Sequence, residues 1–315
     1  MDSDIKVALL GCGNWGKNLL RTFSNLGVLA AIVDANPEQV KKYAKEYDVK
    51  ALRFEEVLAS PDIQAIVIAL PAEQHAQAAL RAIEAGKHVF IEKPLALLVE
   101  DGEKIRDLAR EKNVIVMVGH LLQYHPGFIQ LKKLVEEGAL GTIKSVESRR
   151  LNFGRFRKEE DALWSLAPHD ISMVLSLFEG FPETINLYKE SVNMPAHADS
   201  VHVQLGFSTG HAHIHVSWLH PTKVRQFTVI GDKAMAVFDD GDVKAPKLTL
   251  YPYDFSHKEG GVLKAMAPQE IPIPKDEPLI TECVHFISCC ANQNTPLTDV
   301  DEALRVLRVL SNTHE

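Results

Sequence analysis

The chain has 315 residues, enough for two domains with real cores, and its 46% hydrophobic and 24% charged content is that of ordinary globular proteins. Its formal net charge of −8 argues against general nucleic-acid or membrane-surface binding, which needs a basic footprint, although a local basic pocket would still admit an anionic substrate. No apolar run approaches the roughly 18 residues of a membrane span, and the acidic start Met1-Asp2-Ser3-Asp4 lacks the features of a signal peptide, so a cytoplasmic location is expected.

The first 120 residues alternate between strand-like and helix-like runs. Lys6–Leu10 is a short apolar run, and Asn14–Leu26 carries Leu19, Leu20, Phe23 and Leu26 at helical spacing. Val28–Val33 reads as a strand and Pro37–Tyr47 as a helix with proline in its first turn. Ala65–Leu70 is a buried strand, and Glu73–Ala85 a helix stopped by Gly86. His88–Ile91, Glu100–Lys112 and Val114–Val118 follow as strand, helix and strand. Repeated βα units predict a parallel, doubly wound sheet with helices on both faces.

The pattern changes near Gly119. A helix is expected at Pro126–Glu137 and a hydrophobic one at Ile171–Leu177. His202–Phe207, His211–Trp218, Arg225–Ile230 and Ala234–Asp239 then alternate with period two between turns, which predicts antiparallel strands. Val243 to Pro278, rich in Pro, Lys and Asp, reads as irregular, and an amphipathic helix closes the chain at Val300–Leu310. The expected class is α/β: a Rossmann domain over 1–120, then an α+β domain over 121–315 with a mainly antiparallel open sheet. The second domain would bind substrate and self-associate into a homodimer or homotetramer, because its open sheet face needs cover.

Gly11-Cys12-Gly13-Asn14-Trp15-Gly16 matches GxGxxG after a strand and at the start of a helix, and Asp34 ends the next strand 18 residues beyond Gly16. Gly11 allows the tight turn, Gly13 lets backbone approach a pyrophosphate, and Gly16 lets the helix pack close to the sheet. The pyrophosphate would sit on the helix N-terminus, beside Asn14 and Trp15. Asp34 would accept both adenosine ribose hydroxyls and repel a 2′-phosphate, so NAD is the expected cofactor. The cysteines Cys12, Cys283, Cys289 and Cys290 form no CxxC pair and suit neither a disulfide framework nor zinc.

Together with this fingerprint, Pro71…His75, Ile91-Glu92-Lys93-Pro94, Gly119-His120, His125-Pro126 and Ala167-Pro168-His169-Asp170 resemble the Gfo/Idh/MocA oxidoreductase family over essentially the whole chain. The resemblance implies that Pro71, His75, Glu92 and Lys93 border the cofactor and that Lys93 and His169 are catalytic. Within the family, Arg150–Arg157, Leu163–Ser172 and His215–Pro221 are most similar to enzymes that oxidise the 3-hydroxyl of UDP-N-acetyl sugars. That similarity implies a nucleotide-sugar substrate, UDP-N-acetylglucosamine or its uronic acid, and a partner aminotransferase that consumes the ketone. Ser165 stands where many members carry an Asp four residues before the catalytic His, so acid–base work falls to Lys93 and His169.

Arg155 and Arg157 suit bidentate binding of a diphosphate, whereas Arg149 and Arg150 read as strand residues facing solvent or a partner subunit. His120, Tyr124 and His125 are candidates to line the substrate site, with ordinary packing as the alternative. His211, His213 and His215 share a strand face, but a spacing of about 7 Å is wide for one ion, so no metal is expected. An NADPH-dependent keto-sugar reductase and a non-catalytic NAD(H)-binding protein are the competing readings.

Overall fold

A computed structural model describes residues 5–154, 160–192, 197–241, 247–254 and 264–312; Arg155 and Arg157 lie outside the described residues. The chain divides into two units, one of residues 1–121 and 277–307 and the other of residues 122–276 and 308–315.

The first unit opens with β1 (Val7–Leu10), α1 (Gly16–Asn25), β2 (Leu29–Val33), α2 (Pro37–Tyr47), β3 (Lys50–Ala51) and α3 (Phe54–Ala59). It continues through β4 (Ala65–Ile68), α4 (His75–Glu84), β5 (His88–Ile91), α5 (Val99–Lys112) and β6 (Val116–Val118). These strands form a six-stranded parallel sheet in the order β3-β2-β1-β4-β5-β6. β1 and β4 are buried at every position, because helices cover both faces and the strands must be apolar throughout. The order reverses between β1 and β4, and there a doubly wound sheet opens its ligand crevice at the carboxyl ends of the strands. Local chemistry sets the helix ends. Asn36 Oδ1 accepts the N–H groups of Glu38 and Gln39 to start α2, and Gly86, at φ 72°, follows the end of α4.

The second unit holds α6 (Pro126–Glu136), β7 (Ile143–Phe153), α7 (Ala162–Leu175), β8 (Thr184–Glu190), β9 (Ser200–Gly206), β10 (His211–Ser217), β11 (Leu219–Gly231) and β12 (Ala234–Asp239). β13 (Leu248–Asp254), β14 (Lys264–Ala265) and β15 (Gln269–Glu270) complete it. The nine strands run in the order β14-β13-β12-β11-β7-β10-β9-β8, with β15 beside β13. β10 pairs parallel with β7, and the other described pairings are antiparallel. α7 packs across β7, β9 and β10. Ala212, Ile214 and Val216 are buried, while His211, His213 and His215 alternate with them on the opposite face.

Two expectations need correction. The stretch read as irregular between Val243 and Pro278 contains β13, β14 and β15; the period-two pattern there is broken by Pro252 and short pairings. The expected second domain, 121–315, includes α8 (Pro278–Asn292), a helix the sequence pattern did not announce, and α9 (Val300–Leu310), whereas residues 277–307 cluster with the first unit. Packing explains the return. Phe286 of α8 meets Phe90 of β5 edge-on at 5.6 Å, and Phe90 meets Phe23 of α1 at 6.5 Å. The Val118 N–H donates to the Thr298 carbonyl at 2.8 Å, and the Thr298 hydroxyl donates to the Val118 carbonyl at 2.7 Å.

Candidate active site

In the first unit, the candidate residues gather at the carboxyl edge of the parallel sheet. Gly11 leaves β1 at φ 94°, and a Cβ there would meet the Ala69 carbonyl oxygen at 2.4 Å. A Cβ on Gly16 would fall 2.0 Å from the Gly11 carbonyl oxygen, so both glycines are required by close backbone approach. A Cβ on Gly13 would meet nothing within 4 Å. That open side, at the start of a helix with no side-chain N-cap and no acid in its first turn, fits a diphosphate.

Asp34 directly follows β2, with both carboxylate oxygens held by backbone. Oδ2 accepts the Cys12 N–H at 2.6 Å and Oδ1 accepts the Asn36 N–H at 2.8 Å. Burial pushes the Cys12 thiol up to about 12, with the Asp34 charge adding to it, so Cys12 is a packed thiol under the loop. Asn14 and Trp15 are exposed on the turn, and the Trp15 indole N–H donates to Glu92 Oε1.

His75 begins α4, just after the short turn that Pro71 caps. Its ring is 1% exposed and lies between two carbonyls, Nδ1 2.7 Å from Pro94 O and Nε2 2.8 Å from Leu70 O. It therefore ties the end of β4 to the turn after β5. Burial lowers its pKa against the pull of the two carbonyls. Neutral imidazole has one N–H, so it donates to one of these oxygens at a time. Lys93 occupies the turn held in this way, joined to Pro94 by a cis peptide bond. His120, after β6, is 1% exposed and its Nδ1 lies 2.7 Å from Glu302 Oε2 of α9. Its packing and its hydrogen bond to Glu302 are thus internal to the unit.

In the second unit, His169 lies on α7, one turn after the buried Ser165. Asp161 starts that helix, its Oδ1 accepting the Trp164 N–H at 3.1 Å. Asp170, beside His169, is 2% exposed and accepts the Ser148 hydroxyl at 2.6 Å and two Arg150 N–H groups at 2.5 and 3.1 Å. Arg150 is therefore not the solvent-facing strand residue that its sequence suggested; its side chain is 15% exposed and forks onto Asp170. Arg149 is exposed. A small cavity beside the pair is lined by Arg150, Asp170, Met173, Arg225, Phe238 and Asp240. Asp240 takes an ion pair from Lys247 at 2.6 Å and lies 3.6 Å from Arg225. Sequence reasoning missed Asp170, Arg225 and Asp240. The signal for Asp170 was its place in the His169-Asp170 pair; the other two carried none.

Tyr124 is 3% exposed in the turn before α6, and His125 Nδ1 caps that helix by accepting the Gly127 N–H at 3.0 Å. On the β9–β10 face, His202 stacks on His215 at 4.0 Å, and its Nδ1 lies 3.0 Å from His213 Nε2. Among the described residues, no group of three or more ligating side chains is placed to hold a metal ion. Among them, too, no helix is long and apolar enough to cross a membrane.

The model of an oxidoreductase family with an NAD-binding Rossmann fold matches residues 5–120, and that of the GFO/IDH/MocA C-terminal domain matches residues 128–237. A scyllo-inositol 2-dehydrogenase (NADP(+)) from Bacillus subtilis strain 168 is 28% identical over 72% of this chain and 66% of its own length. A levoglucosan dehydrogenase from Pseudarthrobacter phenanthrenivorans is 30% identical over 56% of this chain and 52% of its own. The matched part thus spans less than two thirds of these curated relatives. The solved structure of a UDP-N-acetylglucosamine 3-dehydrogenase from Acidithiobacillus ferrooxidans superposes with a TM-score of 0.86 at 21% identity, covering 98% of this chain and 96% of that one, a likeness of fold.

Proposed function

Because this chain belongs to the Gfo/Idh/MocA oxidoreductase family, we propose that it is an NAD-dependent dehydrogenase that oxidises the 3-hydroxyl of a UDP-N-acetyl-hexosamine, UDP-N-acetylglucosamine first, to the 3-keto sugar. The observation that carries the oxidoreductase reading is the Lys93 turn at the edge of the parallel sheet, locked through Pro94 by the buried His75. Bound NAD⁺ supplies the hydride acceptor. His169 would take the hydroxyl proton at an imidazole nitrogen, and Lys93 would donate an N–H to the C3 oxygen. The Asp170–Arg150 fork fixes the helix turn that carries His169. NAD is favoured over NADP because Asp34 is an acceptor already oriented by two backbone N–H groups, and a 2′-phosphate beside it would meet like charge.

The nucleotide-sugar substrate is supported by the segments around Arg150–Arg157 and Leu163–Ser172 and by the near-complete structural likeness to a UDP-N-acetylglucosamine 3-dehydrogenase. Its ketone would pass to an aminotransferase, and a homodimer or homotetramer would cover the open sheet face. The sequence relatives favour a second reading, oxidation of a free polyol or anhydro sugar. Absorbance at 340 nm separates the two. The chain is incubated with NAD⁺ and, in turn, UDP-N-acetylglucosamine, its uronic acid, scyllo-inositol or levoglucosan. A 3-aminotransferase and glutamate are present to draw off the ketone. NADH with a nucleotide sugar alone supports the first reading; NADH with inositol or levoglucosan alone replaces it with the second.

A further inference from the structure

On the α7 side of its sheet, the second unit carries a set of charges that the proposed chemistry uses only in part. Arg150 of β7 and Arg225 of β11 are direct partners in antiparallel register, as are Ser148 and Phe227 two residues along. Directly opposed residues share a face, with Cβ atoms about 4.5–5.5 Å apart, and like charges in that position destabilise a sheet. Arg150 has its answer in the fork onto Asp170. Arg225 is held more loosely. Its Nη1 stands 3.6 Å from Asp240 Oδ2, longer than a hydrogen bond, while the other Asp240 oxygen takes Lys247 Nζ at 2.6 Å. Among the described residues no closer acceptor meets Arg225. Burial, then the Arg150 charge, oppose its guanidinium. The sheet would be better served by a neutral residue at this position, so the arginine calls for a reason outside the fold.

The cavity beside the two arginines supplies one. Arg150, Asp170, Arg225 and Asp240 line it together with apolar walls from Met173 and Phe238. Three cations, Arg150, Arg225 and Lys247, stand against two carboxylates, Asp170 and Asp240, which leaves one positive charge over in a chain whose net charge is −8. His125, 3.8 Å from Asp240, adds none, because burial lowers its pKa. The space takes about one water-sized group, an oxygen of an anion but not a sugar or base ring. The Arg225 side chain is 40% exposed, so a larger molecule can reach it with one end. Asp170 directly follows His169, so the cavity borders the helix turn that carries the proposed base. We propose that Arg225 anchors an oxyanion of the substrate, a phosphate or a carboxylate, through the bidentate N–H geometry that guanidinium offers such groups. The inference deepens the nucleotide-sugar reading and rests on it for the source of the anion: the diphosphate, or the carboxylate of a uronic acid.

Anion binding is measured by calorimetry on the full chain at neutral pH and constant ionic strength, with NADH filling the dinucleotide turn. The probes are inorganic phosphate, UDP and glucuronate, with uridine and glucose as neutral controls. Wild type should bind at least one anion and neither control; phosphate with UDP names a phosphate as the occupant, and glucuronate alone names a carboxylate. Arg225→Gln should weaken that binding roughly 10- to 100-fold, the worth of a hydrogen bond to a charged group. Arg225→Lys keeps the charge without the fork and should fall between. A role in the fold would show in stability instead, so the urea midpoint is the second readout. Removing Arg225 relieves its opposition to Arg150, and Arg225→Gln should melt cooperatively with a midpoint at or above that of wild type. No anion bound by wild type leaves the cavity to water and overturns the proposal. Binding that survives in Arg225→Gln overturns it too, and so does a variant without a cooperative melt, which would make Arg225 a structural residue. No turnover enters these measurements. Anion binding through Arg225 without NADH formation from any nucleotide sugar refutes the substrate reading and keeps the anion site; the reverse result refutes the anion site alone.

Discussion

At the scale of single residues, what touches a reacting atom and what holds it in place respond differently to substitution. Lys93→Ala and His169→Ala should each lower turnover roughly 10²- to 10⁴-fold with NAD affinity little changed; near-wild-type turnover in both would remove them from the chemistry. Asp34→Ser should narrow the preference for NAD over NADP by at least about tenfold, or about 1.4 kcal/mol, in paired kcat/KM measurements. Asp170→Asn attacks stability instead. It leaves the Arg150 guanidinium, 15% exposed, without its carboxylate, and should cost about 3 kcal/mol in chemical denaturation. The residues legible in the sequence were those whose chemistry is local. Gly16 is fixed by its approach to the Gly11 carbonyl within one turn, Gly11 by its positive φ in that turn, and Asp34 by its position at a strand end. His120–Glu302 and Arg150–Asp170 join residues 182 and 20 positions apart, and no pattern within one element announces such a pair.

At the scale of elements, legibility followed periodicity. β1, β4 and β10 were visible because a buried strand is apolar throughout and a half-buried one alternates. α8 escaped because it buries Glu282 and three cysteines among its apolar positions, which blurs the helical stripe. β7 was legible only at Arg149 and Arg150, because its central position is masked by charged residues, of which Arg150 is balanced by Asp170 on α7. The histidines of β9 and β10 give that face a pH dependence. Burial, then His202 and His213, lowers His215 to about 4. The folded state thus binds its proton less readily than the unfolded chain, so stability is full above pH 6.5 and is lost as pH falls from 6.5 toward 4. Discounted for the exposed edge of the ring, the effect is about 1 kcal/mol. Denaturant midpoints at pH 7.5 and 5 should show it, and His215→Gln should flatten the difference; an unaltered slope would assign the acid sensitivity elsewhere.

At the scale of the whole chain, the domain order in sequence differs from the order in space. The chain completes a Rossmann sheet by residue 118, builds a second unit, and returns at residue 277 with helices the first unit needs. α8 places Leu279, Cys283, Phe286, Ile287, Cys289 and Cys290 in the interior, and the Phe23–Phe90–Phe286 stack runs through the sheet. α9 adds Leu304 and Leu307, which lie within 3.2 Å of where a Cβ on Gly102 of α5 would stand. A chain cut after residue 121 therefore keeps the dinucleotide turn and Asp34 but bares the apolar face that α8 covers. Burying one large side chain is worth roughly 1.5–3 kcal/mol, so losing the cover of Leu279, Phe286 and Ile287, with the three cysteines beside them, removes an amount comparable to the 5–15 kcal/mol by which a domain is stable. Such a fragment should aggregate or lack a cooperative melt and should bind no NAD, although every fingerprint residue is present. Rejoining residues 277–307 through a flexible linker should restore the melt and NAD binding together. If the cut chain melts cooperatively and binds NAD on its own, then α8 and α9 are dispensable to the first unit, which would be the self-sufficient domain that its sequence pattern resembles.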